Sequence, residues 1–155
     1  MSRIEESIDV HVPVSTAYNQ WTQFEEFPRF MEGVESVRQL DDTHLQWVAE
    51  IGGKKREWTA QIAEQRPDER VAWNATEGHG NSGVVTFHRL GDNETRVTVQ
   101  MEHETEGMME SLGSALGADS RRVKGDLERF KDLIEGRGVE SGAWRGEVER
   151  GERVR

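Results

Sequence analysis

From Val34 to Glu104 apolar and polar residues alternate in steps of two, and beyond Gly107 the period becomes helical. Before that stretch, Ile8, Val10 and Val12 fall at every second position of Ile4 to Val12, which predicts a strand closed by Pro13. Ala17, Tyr18 and Trp21 follow at helical spacing, with Ser15 as the expected N-cap. Pro28 disfavours the α region for Phe27, so this first helix should end or bend before it. Leu45, Trp47, Ala49 and Ile51 then share one face of a strand that turns at Gly52-Gly53, and Trp58, Ala60 and Ile62 share the next. Arg66-Pro67-Asp68 is a turn before Val71, Trp73 and Ala75. Gly78 to Gly83 reads as a loop, and Val84 to Leu90 as a strand with Val85 and Phe87 inward. Gly91-Asp92-Asn93 turns the chain into Val97, Val99, Met101 and His103. About six short strands in succession favour an antiparallel meander with one buried face and one wet face.

Met109, Leu112, Leu116, Val123, Leu127, Phe130 and Ile134 mark one stripe of a helix expected over about Met108 to Glu135. Gly113, Gly117 and Gly125 lie inside it at roughly 1 kcal/mol each relative to alanine, and Gly117 to Ser120 is where it would bend or split. Gly136 and Gly138 are stop signals. Residues 139–155 are expected to be a flexible tail, because the last twenty residues hold five glycines.

Two features concentrate aromatic surface. Trp21, Phe24, Phe27 and Phe30 recur every third position in WTQFEEFPRFMEGV. Trp47, Trp58 and Trp73 occupy inward positions on neighbouring strands beside the small residues Ala49, Ala60 and Ala75.

The stretches VPVSTAYNQWTQFEEFPRFMEGVESVRQL (Val12 to Leu40), GVVTFHRL (Gly83 to Leu90), TRVTVQMEHETEG (Thr95 to Gly107) and LERFKDLIEGRG (Leu127 to Gly138) resemble the START-like, helix-grip superfamily often called SRPBCC. Within it the chain is most similar to the polyketide cyclase/dehydrase group, which includes coenzyme Q-binding START-type proteins. The resemblance covers roughly residues 3–138 and implies an α+β helix-grip fold, a curved six- to seven-stranded antiparallel sheet around a long C-terminal helix. It makes 1–138 one ligand-binding domain. It also implies that the aromatic segment from Trp21 to Met31 walls the mouth of a cavity. On that architecture the expected ligand-lining set is Trp21, Phe24, Phe27, Phe30, Met31, Trp47, Trp58, Trp73, Phe87, Met101, His103, Met109, Leu112 and Leu116. The fold hosts carriers, cyclases, hydrolases and scaffolds, so it does not by itself choose among them.

Composition narrows the partners. Thirty acidic against twenty basic residues leave a net charge of −10, which repels nucleic acid and anionic lipid surfaces. No cysteine is present, so disulfide and thiolate chemistry are excluded. The segment MSRIEESIDV has no apolar h-region, and no run approaches a membrane span, so a cytoplasmic location without stable membrane insertion is expected. A homo-oligomer is compatible with this composition but not derivable from it.

The candidate chemistry is sparse. Gly78 to Gly83 fits G-x-G-x-x-G, but a strand follows where a dinucleotide site needs a helix, so it reads as a hairpin loop. His11, His44, His79, His88 and His103 form no ligand pair, and no metal or cofactor is expected. His103 ends an inward-facing strand and is the weak candidate for an orienting or proton-transferring group. A cyclase must move protons on a reactive poly-keto chain. The inferred inward positions are almost wholly apolar, which favours non-catalytic binding of a hydrophobic or aromatic small molecule. A cyclase, aromatase or dehydratase is the alternative, and an assembly accessory without a dedicated ligand is the third expectation.

Overall fold

The chain runs β1 (Ser2–Val10), α1 (Val14–Trp21), a 3₁₀ segment (Phe24–Arg29), β2 (Val34–Asp41), β3 (His44–Ile51), β4 (Lys54–Arg66), β5 (Arg70–Glu77), β6 (Asn81–Gly91), β7 (Glu94–His103), α2 (Leu112–Arg137), β8 (Val148–Glu149) and β9 (Glu152–Arg153). This computed structural model describes residues 2–51, 53–77, 81–103 and 112–155; the side chains of residues 2, 51, 76, 77, 81, 103 and 112–119 lie outside the description. The sheet is antiparallel, with the main path β1-β7-β6-β5-β4-β3-β2, with β8 added beside β4 and β9 beside β8. Its seven main strands and C-terminal helix form the predicted helix-grip fold.

Period-two alternation holds because one face of the sheet meets α2. Val10, Val85, Val97 and Val99 are buried on that face, against Leu127, Phe130 and Ile134 of α2. The helix is anchored along β1: Lys131 Nζ donates to the Asp9 carbonyl (2.8 Å), and the His11 N–H donates to Glu135 (2.7 Å). α2 is one helix through Gly117 to Ser120, where a bend or a split was expected; it does not split. It passes Gly136 and stops at Gly138, whose N–H reaches the Ile134 carbonyl (2.8 Å) and whose φ of +75° turns the chain out of the helix.

Local chemistry moved two boundaries and kept a third. α1 begins one residue before Ser15, capped by the extended Pro13 with no side-chain hydrogen bond. It ends at Trp21, well before Pro28, because the chain tightens into a 3₁₀ segment that tolerates the proline. Gly83 belongs to β6 rather than to the preceding loop.

β4 is the long strand of the sheet, thirteen residues against eight in β3. A register shift between Ile62 and Glu64 turns two successive residues outward, so Gln65 and not Glu64 faces inward opposite Val71. Beyond Gln61, the last β4 residue paired with β3, the β4 edge is taken by the C-terminal segment. Val148 pairs with Gln65, and the Gly151 N–H donates to the carbonyl of the bulged Ala63 (2.9 Å). Residues 139–155 therefore lie along the body, which differs from the flexible tail that glycine content predicts. Val148 is completely buried and Trp144 is half-buried against the core.

Candidate functional site

Among the described residues the interior divides into a closed half and a half-open one. The closed half is built by α1 and the 3₁₀ segment, which deliver Trp21, Phe24, Phe27 and Phe30 into the core at 2–5 % exposure. Spacing of three puts successive rings in contact: Phe24–Phe27 at 5.5 Å and Phe27–Phe30 at 5.6 Å. Trp21 meets Phe130 of α2 edge-on at 5.1 Å, and Phe30 meets the same ring at 5.2 Å. Phe87 packs beside Tyr18 and Trp21. These rings fill the space between helix and sheet.

The half-open part follows along the inner face. Trp47, Trp58, Trp73 and Met101 are each only partly buried there. Trp47 touches the closed half through Phe27 (5.5 Å) and stacks on its cross-strand partner Trp58. Trp73 lies across Gly83, its directly paired neighbour on β6. A Cβ at Gly83 would come within 2.9 Å of the Trp73 ring and would collide with the Gln100 carbonyl. Only glycine admits the indole this close to the sheet. His103 pairs with Ser2 and Asn81 at the end of β7, and Leu112 and Leu116 lie in the first turns of α2; their side chains are outside the described residues, as is Met109 altogether.

A cleft of about 640 Å³ lies between the 3₁₀–β2 connection, the β3–β4 hairpin and α2. Phe30, Met31 and Val34 line it together with Glu32, Glu35, Glu50 and Arg129. Arg129 holds the connection to the helix. Its Nε donates to the Phe30 carbonyl (2.9 Å), while Asp126 accepts from both the Glu32 N–H (2.9 Å) and Arg129. Burial raises the Asp126 carboxyl above its ordinary range, opposed by these two donors. Gly33, at φ +83°, passes under the Glu50 carbonyl, where a Cβ would stand 2.7 Å from the oxygen.

Alternation reading missed two polar groups. Glu6 pairs with Val99 and so shares the inner face with Ile4 and Ile8; its carboxylate accepts from Ser120 of α2. The period-two series Ile4, Glu6, Ile8 was the available signal. Tyr18 is fully buried, and burial pushes its phenol up to about 12, with the nearby Gln65 amide opposing the rise. Neither the Tyr18 hydroxyl nor either amide atom of Gln65 meets hydrogen-bond geometry with another described residue. Among the described residues no cluster of three or more His, Asp or Glu is placed to hold a metal ion. No helix among them is long and apolar enough to cross a membrane.

A curved antiparallel sheet closed on a C-terminal helix defines a helix-grip protein. The chain belongs to the family described as polyketide cyclase / dehydrase and lipid transport, whose sequence model matches residues 10–132. It is 55% identical over 149 residues to an uncharacterized 17.2 kDa protein from the melC2-rnhH intergenic region of Streptomyces lincolnensis, covering 96% of this chain and 99% of that one. The Zhui aromatase/cyclase from Streptomyces sp. R1128 superposes with a TM-score of 0.76 at 15% identity, over 92% of this chain and 99% of that one. A protein from Thermus thermophilus superposes with a TM-score of 0.74 at 21% identity, over 89% of this chain and all of its own. At these identities the structural likeness speaks for the fold.

Proposed function

We propose that this protein binds an apolar or aromatic small molecule of lipid, quinone or polyketide type, and does so without converting it. The observation that carries this is the part-exposed stack of Trp47 on Trp58, continued along the inner face by Trp73 and Met101. Flat apolar surface of this kind is kept from solvent by a ligand with a flat or chain-like apolar body. Each Å² removed from water contributes roughly 25 cal/mol, enough for micromolar binding after association costs. Trp21, Phe24, Phe27 and Phe87 stand behind this surface as its rigid wall, while Phe30 and Met31 line the cleft beside Arg129. The test is a titration with quinone, fatty-acyl and polycyclic aromatic probes, read by tryptophan fluorescence. Saturable quenching that Trp47→Ala and Trp58→Ala remove is the expected result.

The second reading is a cyclase, aromatase or dehydratase, favoured by the inward carboxylate of Glu6. It predicts turnover of a poly-β-ketone that falls sharply in Glu6→Gln or His103→Ala. Turnover of that kind sinks the carrier reading; neither binding nor turnover would favour the assembly role.

A further inference from the structure

We infer that residues 139–155 are a releasable strap, clamping the α1 and 3₁₀ wall against the sheet and opening the interior from its base when it lifts. The opening half of this inference rests on the ligand-binding reading; the clamp does not.

The strap grips the wall at successive points. Glu140 accepts from the Asn19 side chain (2.9 Å), the Ser141 N–H donates to Gln20 Oε1 (2.8 Å), and the Trp144 N–H donates to Thr22 Oγ1 (3.1 Å). The same segment then grips the sheet. Arg145 pairs with Asp68 in the β4–β5 turn (2.9 Å), while its guanidinium lies 5.6 Å from the centre of the Tyr18 ring and bonds Asn19 (2.6 Å). Val148 and Gly151 complete the β4 edge, and Arg153 reaches Asp42 in the β2–β3 turn (3.0 Å). One segment thus ties α1 to two turns of the sheet that are remote from it in sequence.

Its own ties are weak ones. The ion pairs are part-exposed, and screening leaves such pairs little net strength. Val148 is its one fully buried apolar residue. Beneath it lie the Tyr18 hydroxyl and the Gln65 amide, buried and close enough to act on each other but outside good hydrogen-bond geometry. Such atoms are penalised while the strap is seated and gain water when it lifts. Closure is therefore opposed at its own footing, which makes this segment a candidate for local opening well below global unfolding. The strap also lies beyond residues 10–132, which carry the family match.

The test uses the full chain. It contains no cysteine, so Gln65→Cys combined with Val148→Cys has one possible disulfide, between two residues that are ladder partners. Hydrogen exchange of the Tyr18–Thr22 amides should slow about tenfold or more on oxidation of this variant. Arg145→Ala should speed the same amides and leave those of Leu127–Ile134 unchanged. Uptake of 1-anilinonaphthalene-8-sulfonate should slow in the oxidised form with its final fluorescence preserved. Equal exchange in the two redox forms overturns the clamp, as does Arg145→Ala speeding both helices alike. Slowed exchange with unchanged dye uptake overturns the opening at the base. Dye that binds neither form counts against the ligand-binding reading, and the exchange comparison still decides the clamp.

Discussion

Trp47 and Trp58 face each other across β3 and β4 with their ring planes 9° apart and their centres 5.7 Å apart. Both are directly paired in the ladder and both remain part-exposed. Aromatic pairs at this separation contribute about 0.5–1.5 kcal/mol beyond their buried area. Truncating either ring should therefore weaken probe binding by far more than it weakens the fold. Isothermal titration of Trp58→Ala beside its urea midpoint makes the comparison; a midpoint collapse with intact binding would assign the pair to the core.

Trp21 and Trp73 should respond unequally to the same substitution. Trp21 contacts Phe27, Phe30, Phe87 and Phe130 at 5 % exposure. Trp21→Ala should cost about 3–5 kcal/mol, as for a fully packed aromatic. Trp73 is only partly buried, and Trp73→Ala should cost clearly less than that range. Chemical denaturation of the two variants settles the order, and equal losses would contradict the division of the interior.

Gly83 provides a test of the sheet surface beneath Trp73. A methyl group there meets the Gln100 carbonyl and the indole together. Gly83→Ala should destabilise by about 1–3 kcal/mol through overpacking. It should also displace Trp73, seen as a shift of tryptophan emission. A neutral substitution would mean that β6 and β7 can part there at no cost.

The fold was legible because its elements announce themselves locally. Val97, Val99 and Met101 could share a face only on a strand, and Leu127, Phe130 and Ile134 only on a helix. The aromatic run from Trp21 to Phe30 was legible as a cluster, but its destination was not: packing against Phe130 depends on contacts a hundred residues away. Gln65 was hidden by the Ile62–Glu64 register shift, which breaks the alternation that would place it. Gly83 looked like loop glycine because the demand for it comes from Trp73 on the neighbouring strand. The tail misled for a related reason. Its glycines signal freedom in an isolated chain, whereas the open edge of β4 that accepts Val148 arises only when β3 is shorter than β4.

Tyr18 sets the alkaline behaviour. Its folded pKa is raised to about 12, against about 10 for an unperturbed phenol. The folded protein thus holds this proton more tightly than the unfolded chain. The resulting stability is fully present below about pH 10 and is lost as pH rises toward the folded value. Tyr18 is the only tyrosine, so ultraviolet difference absorbance reports it alone. The expected titration lies near 12, and Tyr18→Phe should flatten the decline in melting temperature above pH 10. Ionisation near 10 in the native protein would show that the ring is wet.

The seated tail carries the last prediction. Val148 is wholly buried, and two methyl groups removed by Val148→Ala are worth about 1.5 kcal/mol at ~0.8 kcal/mol each. For a chain of this size each kcal/mol shifts the melting temperature by roughly 2–4 °C, so a fall of about 3–6 °C is expected. Deleting residues 139–155 removes Val148, the half-buried Trp144 and the β4 edge pairing together, and should lower it further. The exposed pair of Arg153 with Asp42 should add little, because such pairs contribute about 0–1 kcal/mol. Arg153→Ala is thus the matched control, close to wild type in thermal denaturation. A truncated protein that melts with the full chain would mean that the segment rests on the body without stabilising it.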